Sequence, residues 1–490
     1  MKLPFLSLLT FIPLLGGIVI LFIPKHQDRV IKWLATIASF IPLALVVPMW
    51  MQFDPKAPGM QFVERFNWIP SLGVSYYLGT DGISFPLLAL TALMTFVAVV
   101  ASWTINVRVK DFFALVLLLE TGMMGVFSSL DYVVFYVFWE IVLVPMYFLI
   151  GIWGGPRREY AAIKFFIYTL VGSVIMLIGI LTLYFGTGLR TFDMLEIARV
   201  AGTALTPRVQ FWVFMALFLG FAVKVPVFPF HTWLPDAHVE APTPISVVLA
   251  AVLLKMGTYG FLRISHPTLP EAGKAFAISM AVLGLINIIY GALAAMAQKD
   301  LKKLVAYSSI SHMGYVLLGL AAATPAAING AMYMNISHGL ISGMMFLLVG
   351  SMYERTHTRE IAKLSGMYIT LPVIATITAF AFFANLGLPG LAGFIAEFFV
   401  LLGTFPWNPK YVILALAGVI VVAAFNLWMM QRVLMGKTRE EYAELEDICG
   451  REWVTYAPLV VFIVLLGVYP AFLMDLFTVP VQQLVTLLGG

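Results

Sequence analysis

Apolar runs of roughly twenty residues, each long enough to form a membrane-spanning helix, recur from one end to the other of this 490-residue chain. The hydrocarbon core of a bilayer is about 30 Å thick, which such a helix crosses. Only 11% of the residues are charged, against about 25% in an ordinary soluble domain, and the mean hydropathy is +0.96. The sequence therefore predicts an all-α polytopic membrane protein in which residues 1–490 form a single membrane domain.

The apolar runs divide the chain into about fourteen predicted spans. They cover approximately residues 4–23, 30–51, 82–104, 111–129, 131–152, 160–186, 207–230, 243–264, 272–296, 303–322, 325–352, 368–405, 408–431 and 454–478. We expect the first to be a retained span rather than a signal peptide, because it lacks a clear small-residue cleavage site. The twelfth is too long for one straight helix and contains NLGLPGLAG, which predicts two half-helices. Residues 52–80 and 432–453 are the largest connections between spans.

The distribution of lysine and arginine predicts which face of the membrane each loop occupies. Eighteen of the 29 basic residues lie in loops on one face, and nine lie on the other. Because cytoplasmic loops carry an excess of Lys and Arg, the richer face is predicted to be cytoplasmic and both termini to lie outside. The two remaining basic residues, Lys224 and Lys255, belong to neither face because they lie within spans.

Other ionisable residues also lie within the predicted spans. They are Glu120, Glu140, His312, His338 and Glu397. A charge at mid-bilayer costs about 2.5–3.5 kcal/mol on insertion scales, and a purely structural interpretation would pair these groups or let the lysines reach the surface. Lys255 and Glu140 are too central to reach the surface, so we expect a functional role for them, and likewise for Lys224 and Glu397. Glu120 fits either interpretation, and lone histidines are more often satisfied hydrogen-bonding groups than proton relays.

Two prolines interrupt span seven beside Lys224, in the stretch GFAVKVPVFPF. Pro226 and Pro229 lack N–H groups, which leaves two backbone carbonyls near the lysine without helical partners. Pro145 has the same effect next to Glu140. Such backbone is tolerated at membrane depth only where it is buried in protein or lines a hydrated cavity. Broken helices beside ionisable groups are typical of ion-coupled transporters.

The types of residue favour protons as the transported ion. Burial favours the neutral forms of lysine and of a carboxyl group, whereas a nearby opposite charge favours the charged forms. A Lys–Glu pair whose separation changes can therefore load and release a proton. We expect no arginine in the membrane interior, and arginine would not serve this purpose because it does not deprotonate in proteins. The sequence thus predicts proton translocation.

Several classes of function are excluded or disfavoured. The single cysteine, Cys449, excludes internal disulfides and a cluster held by several thiolates. Neither the G-x-G-x-x-G nor the G-x-x-x-x-G-K-[ST] pattern of a nucleotide-binding loop occurs. One stretch, FHTWLPDAHVEAPTP, holds four possible metal ligands, His231, Asp236, His238 and Glu240. Their spacing matches no established ligand signature, so we expect a hydrated loop there rather than a metal site.

Four stretches resemble the antiporter-like subunits of respiratory complex I, the proton-translocating NADH:quinone oxidoreductase, and most closely its chain M group. They are LLLETGMMGVFSSLDYVVFYVFWEIVLVPMYFLIGIWGG, FAVKVPVFPFHTWLPDAHVEAPTPISVVLAAVLLKMGTYGFLRI, KDLKKLVAYSSISHMGYVLLG and NLGLPGLAGFIAEFF. The resemblance covers essentially the whole chain. It implies fourteen helices, with discontinuous helices 7 and 12 and with inverted repeats at residues 111–264 (helices 4–8) and 272–431 (helices 9–13).

The resemblance also implies roles for particular residues. It places Glu140, Lys224, Lys255 and Glu397 on the proton path, with His312 and His338 on a connecting polar axis. This chain would bind no cofactor and no metal, while NAD, flavin mononucleotide, iron–sulfur clusters and quinone would belong to partner subunits in the bacterial inner membrane. Those partners would include sister antiporter-like chains.

The alternatives are a subunit of a Mrp-type sodium/proton antiporter, a photosynthetic or hydrogenase-linked relative, and a scaffold whose buried charges only fix packing. Glu397 favours the chain M group, because sister chains and Mrp-type antiporters resemble one another in carrying lysine on the broken twelfth helix.

Overall fold

A computed structural model describes residues 3–489 of the chain. Within that range, thirteen helices are long and apolar enough to cross a membrane. Two shorter apolar helices, Pro372–Asn385 and Ala392–Trp407, supply the predicted twelfth span in two pieces. The predicted all-α membrane architecture is therefore confirmed. The two chain ends, which the distribution of basic residues places outside, lie beyond the described residues.

The helices and strands follow one another along the chain in a fixed order. In the first half they are α1 (Phe5–Phe22), α2 (Asp28–Gln52), β1 (Gln61–Ile69), β2 (Val74–Thr80), α3 (Ser84–Ala101), α4 (Val109–Ser128), α5 (Tyr132–Ile141), α6 (Leu143–Trp153), α7 (Arg158–Thr187), α8 (Met194–Ala204), α9 (Pro207–Lys224), α10 (Trp233–Glu240) and α11 (Thr243–Val248). The remainder are α12 (Leu254–Gly260), α13 (His266–Thr268), α14 (Pro270–Met296), α15 (Leu301–Ala322), α16 (Pro325–Thr356), α17 (Met367–Thr370), α18 (Pro372–Asn385), α19 (Ala392–Trp407), α20 (Pro409–Val433), α21 (Gly450–Val468) and α22 (Ala471–Leu487).

Both predicted interruptions are present. Span seven ends at Lys224, and the chain becomes helical again at Trp233 as α10. Span twelve divides into α18 and α19 around residues 386–391. Span five is one continuous helix, Tyr132–Trp153, with a local distortion at Val142 between α5 and α6. The hydrogen bonds around that junction are long: the Val142 amide donates to the Phe138 carbonyl over 3.4 Å.

The chain splits into two compact units. The first unit contains Met1–Val225, Val252–Ile278 and Asp475–Gly490, and the second contains Pro226–Ala251 and Ser279–Met474. The first division between them lies at the interruption of span seven. The inverted repeats at residues 111–264 and 272–431 have different bounds and stay a prediction.

The connection at residues 52–80 is more ordered than the sequence analysis anticipated. Strands β1 and β2 pair in antiparallel fashion, as a hairpin. Glu64 on β1 accepts hydrogen bonds from the backbone N–H groups of Leu6, at 2.9 Å, and Ser7, at 3.2 Å, in the first turn of α1. Those N–H groups have no partner within the helix, so the hairpin supplies the acceptor that α1 lacks.

The predicted fourteenth span is shorter than expected. It was placed at residues 454–478, but α21 ends at Val468 and a separate helix, α22, begins at Ala471. Pro470 lies between them, and a proline restricts the residue before it to extended conformations. Tyr469 accordingly leaves the helical region, with φ −127° and ψ 70°.

Within the second unit, α16 and α19 pack with their backbones in contact. A methyl group at Gly330 on α16 would lie 2.4 Å from the Val400 amide nitrogen on α19. A methyl group at Gly403 on α19 would lie 2.1 Å from the Ala327 amide nitrogen on α16. Small residues of this kind let membrane helices approach closely. The contact positions α19, the half-helix that carries Glu397.

We expect Gly330→Ala to destabilise the protein by about 1–3 kcal/mol, because the added methyl group forces two packed backbones apart. The matched control is Gly202→Ala on the exposed side of α8, where nothing lies within 4 Å of the added carbon. That control should stabilise by about 0.4–1 kcal/mol. The measurement is the thermal unfolding midpoint of the detergent-purified protein, and equal midpoints for the two variants would contradict the close packing.

Candidate functional site

Lys224 is the last residue of α9 and is 1% exposed. Its ammonium makes no hydrogen bond among the described residues. The sequence analysis expected freed carbonyls around it, but the structure instead places Nζ over aromatic rings, 5.2 Å from the ring centroid of Trp139 and 5.8 Å from that of Phe165. The lysine is therefore held within the membrane without a fixed proton acceptor.

Glu140 lies in the last turn of α5, two residues before the helix distortion at Val142. It interacts electrostatically with Lys224 and with Tyr136, one turn earlier on the same helix. One carboxylate oxygen, Oε1, is buried with no hydrogen-bond partner among the described residues. Glu140 and Lys224 thus form a pair that is electrostatically coupled but not joined by a hydrogen bond. A modest change in their separation alters that coupling.

Lys255 lies on α12 and is fully buried. A π-helical stretch, Leu249–Leu253, comes directly before that helix, and such wide turns occur frequently at functional sites. Two residues after the lysine, a methyl group on Gly257 would lie 2.7 Å from the Phe221 carbonyl oxygen of α9. The glycine thus lets the helix of Lys255 pack directly against the end of α9. Glu140, Lys224 and Lys255 all belong to the first unit.

In the second unit, Glu397 is paired with His312. Their closest atoms, Glu397 Oε1 and His312 Nε2, are 3.4 Å apart. The imidazole also contacts two backbone carbonyl oxygens, that of Ser308 from Nδ1 at 2.8 Å and that of Asn385 from Nε2 at 3.0 Å. A carbonyl only accepts, and a neutral imidazole has one N–H. The two contacts together suit an imidazolium, which donates from both nitrogens to its acceptors.

A polar network surrounds this pair at the interruption of span twelve. Asn385, the last residue of α18, donates from Nδ2 to the Ser308 hydroxyl and to Asn426 Oδ1, both at 3.1 Å. His338 lies next to His312, with 5.6 Å between the ring centroids. The structure therefore brings Glu397, His312 and His338 together. Ser308, Asn385 and Asn426 were missed by the sequence analysis, because short polar residues inside helices give no signal of their own.

The interrupted backbone of span seven also has a partner that the sequence analysis missed. Asn287 on α14 accepts a hydrogen bond from the Phe228 amide at 2.8 Å. The same side chain donates to the Pro226 carbonyl oxygen at 3.1 Å. One buried amide side chain thus satisfies a donor and an acceptor that the broken helix leaves free, as membrane depth requires.

The remaining candidates have different surroundings. Glu120 is fully buried, and neither carboxylate oxygen has a hydrogen-bond partner among the described residues.

The predicted hydrated loop at residues 231–240 is partly helical, since α10 begins at Trp233. The His238 ring stacks on Phe346 with 4.4 Å between the centroids. Among residues 3–489, no group of three or more His, Cys, Asp and Glu side chains could hold a metal ion.

One expectation about charge was wrong. Arg263, counted among the basic residues of the outer face, lies inside the span Thr243–Thr268. Its side chain is 9% exposed and forms a salt bridge with Asp81. An arginine is therefore present within a span, and it is neutralised by a carboxylate instead of being left without an ionic partner.

Taken by chemical type, these side chains are suited to moving protons. Lysine, glutamate and histidine each exist with and without a proton. In the first unit Glu140 and Lys224 are electrostatically coupled without a hydrogen bond between them, and Lys255 is buried on the helix that packs against the end of α9. In the second unit the glutamate is connected to a histidine and to a chain of amide and hydroxyl groups.

The chain is similar to proteins that are already known. A family model described as NADH:quinone oxidoreductase/Mrp antiporter, TM, matches residues 129–423. NADH-quinone oxidoreductase subunit M of Rhodobacter capsulatus is 44% identical, over 98% of this chain and 96% of that protein. F(420)H(2) dehydrogenase subunit M of Methanosarcina mazei is 39% identical, over 100% of this chain and 99% of that protein. A chain of respiratory complex I from Thermus thermophilus with bound NADH matches with a TM-score of 0.91 and 32% identity, covering 99% of this chain and 100% of that one.

We expect Asn287→Leu to loosen the interruption of span seven, because it leaves the Phe228 amide and the Pro226 carbonyl without partners. The cost should be about 1–3 kcal/mol, and hydrogen–deuterium exchange should rise in a peptide covering residues 225–232. Asn329→Leu on α16 is the control, since the Asn329 side-chain oxygen has no hydrogen-bond partner among the described residues. Unchanged exchange at 225–232 in Asn287→Leu would show that the interruption does not depend on this side chain.

Proposed function

The chain belongs to the family of membrane subunits shared by NADH:quinone oxidoreductases and Mrp antiporters, and we propose that it is the proton-carrying, antiporter-like subunit of a respiratory complex I. Two relatives named NADH-quinone oxidoreductase subunit M, at 44% and 41% identity, support this assignment over nearly the whole chain. The observation that carries the proposal is that Lys224 ends the helix at the interruption of span seven and is electrostatically coupled to Glu140, while Glu397 lies in the half-helix that follows the interruption of span twelve.

In the proposed mechanism, protons pass along the chain's own titratable side chains. Within the first unit, a proton on the Glu140 carboxyl group moves to the neutral amine of Lys224, which leaves a carboxylate and an ammonium. The ammonium then gives its proton to the neutral amine of Lys255, and Lys224 returns to its neutral form. Within the second unit, Glu397 exchanges a proton with its partner His312, and His338 extends that histidine pair. Glu120 has no assigned step.

The energy for this transfer would come from partner subunits, which makes the chain part of a translocase without redox chemistry of its own. A single cysteine leaves no set of thiolates to hold an iron–sulfur cluster. NAD, flavin mononucleotide, iron–sulfur clusters and quinone would therefore belong to other subunits of the complex. The partners would be the remaining membrane subunits, including sister antiporter-like chains. The electron donor would also be set by them, since relatives named for NADH and for F(420)H(2) resemble this chain almost equally.

The second candidate function is that of a subunit of a Mrp-type sodium/proton antiporter, which the description of the family includes. The residue on the broken twelfth helix favours complex I, because this chain has Glu397 there and the Mrp-type pattern described above has lysine. The two functions differ in their driving force. An antiporter subunit would exchange protons for sodium without any electron donor.

The protein is a multi-pass membrane protein. We propose that its membrane is the bacterial inner membrane, with the loops rich in lysine and arginine facing the cytoplasm. Both termini would then lie on the periplasmic side. The loop that ends at Cys449 would be cytoplasmic, because Arg432, Lys437, Arg439 and Arg451 flank it.

We expect Lys224→Ala and Glu140→Gln to abolish NADH-driven acidification of inverted membrane vesicles and to lower NADH:quinone activity strongly. Each variant removes one member of the coupled pair, so a proton has no donor or no acceptor at that step. Lys274→Ala is the control, since Lys274 lies in an exposed salt bridge with Glu271, and exposed pairs contribute about 0–1 kcal/mol. Normal acidification in either pair variant would refute the mechanism, and sodium-driven proton exchange without NADH would favour the antiporter.

The exposed cysteine offers a direct test of sidedness, because Cys449 is the only cysteine of the sequence. A membrane-impermeant maleimide should label the tagged chain in inverted vesicles and should leave it unlabelled in right-side-out vesicles. Cys449→Ser is the control for labelling of other groups. The reverse pattern would place this loop and the predicted cytoplasmic face on the outside.

A further inference from the structure

We propose that the face of the Trp139 indole is a second docking position for the protonated Lys224 side chain, used in alternation with the Glu140 carboxylate. This proposal rests on the proton-carrying function proposed above. In the structure, Nζ lies 5.2 Å from the Trp139 ring centroid, within the limit of about 6 Å for a cation–π contact. The ammonium makes no hydrogen bond there, so the rings are its closest assigned partners.

The ring is held by packing on two sides, whereas the lysine side chain is held by no hydrogen bond. Trp139 is 1% exposed, and it packs against Phe135, with 5.5 Å between centroids, and edge-on against Phe221 at 5.6 Å. Its indole N–H has no acceptor among the described residues, so packing alone holds it. Lys224 reaches the ring through a flexible four-carbon stem from the end of an interrupted helix. The mobile partner in this contact is therefore the cation.

Both docking positions are within range of the same lysine, because Nζ lies over the Trp139 ring and Lys224 is electrostatically coupled to Glu140, the next residue of α5. They differ in chemistry. A carboxylate attracts the ammonium and can also take its proton, whereas an indole face attracts a cation but has no site that accepts the proton. Indole is the strongest of the aromatic partners for a cation, and the attraction increases when the site is desolvated.

The consequence is a division of the transfer into two stages. The Glu140 carboxyl group first gives its proton to the Lys224 amine, which produces an ion pair. The ammonium then moves from the carboxylate to the ring, where the proton cannot return to Glu140 directly. From the ring the ammonium passes its proton to the neutral Lys255 amine. The resulting neutral Lys224 amine is no longer attracted to the indole face, because that attraction requires a cation. Trp139 acts in this scheme as a positioning residue.

The test uses the intact oxidoreductase complex with Trp139→Tyr, Trp139→Phe and Trp139→Leu. The first two keep a ring of decreasing attraction for a cation, and the third removes the ring while keeping an apolar side chain. We expect the ratio of proton translocation to NADH:quinone activity to fall in that order, with a loss of about tenfold or more in Trp139→Leu. We also expect activity to fail at progressively lower pH along the series, because the charged lysine is progressively less stabilised.

The control is Phe135→Leu, since Phe135 is fully buried against the same indole and no cation lies over its ring among the contacts of residues 3–489. It should stay within about twofold of the unaltered complex and keep its pH profile, because its removal costs packing only. Equal losses in Phe135→Leu and Trp139→Leu would overturn the proposal, and so would an unchanged pH profile along the ring series.

Lys224→Ala in the same preparation separates this proposal from the function on which it rests. If Lys224→Ala translocates protons normally, the proton-carrying function itself is wrong. If Lys224→Ala is inactive while Trp139→Leu is fully active, only the docking position is wrong. Trp139→Phe keeps most of the packing volume, so the series stays informative if Trp139→Leu fails to assemble.

Discussion

A titratable side chain inside a bilayer is costly, and the irregular parts of this fold lie where those side chains are. Insertion scales assign about 2.5–3.5 kcal/mol to a charge at mid-bilayer. The helix α9 ends at Lys224, α5 ends in a helix distortion directly after Glu140, and α19 begins five residues before Glu397. The interruptions of spans seven and twelve leave backbone groups unpaired where no bulk water can serve them. Asn287 hydrogen-bonds the backbone at the interruption of span seven, and His312 hydrogen-bonds the backbone at the interruption of span twelve. Polar side chains and broken helices therefore occur together.

The two units hold their charges in different ways. Lys224 lies over aromatic rings without a hydrogen bond, and its neighbour Glu140 is only electrostatically coupled to it. Glu397, in contrast, has a histidine within 3.4 Å, and that histidine is hydrogen-bonded to two backbone carbonyls. A cation over a ring can leave at little geometric cost, whereas a side chain in a hydrogen-bonded network is held in one orientation. The first arrangement suits a carrier that moves, and the second suits a fixed exchange point.

The sequence was informative wherever the signal is local. Apolar runs located the spans, and prolines and glycines located the interruptions beside Lys224 and Glu397. The partners of those interruptions were not predictable, because Asn287 and Phe228 are 59 residues apart in the chain and meet only after the helices pack. Trp139 was indistinguishable from the core and lipid-facing aromatics of a chain that is 14% aromatic. The error at Arg263 has another cause: its partner Asp81 lies far away in the chain, so nothing in the sequence indicated that the end of this span holds a paired charge.

The arginines help to separate structural charges from carriers. Arg355 on α16 donates five hydrogen bonds, to Glu452 and to three backbone carbonyls, and Arg263 is paired with Asp81. Both are permanently charged, so a stable pair with a carboxylate suits their partly buried positions. Lys224 lacks such a salt bridge although it is more deeply buried, at 1% exposure. A buried cation that no carboxylate fixes is tolerable only if it can give up its charge, which lysine can do and arginine cannot. The choice of lysine at the interruption of span seven is therefore what a proton carrier requires, and the aromatic ring beside it stabilises the charged form without fixing it.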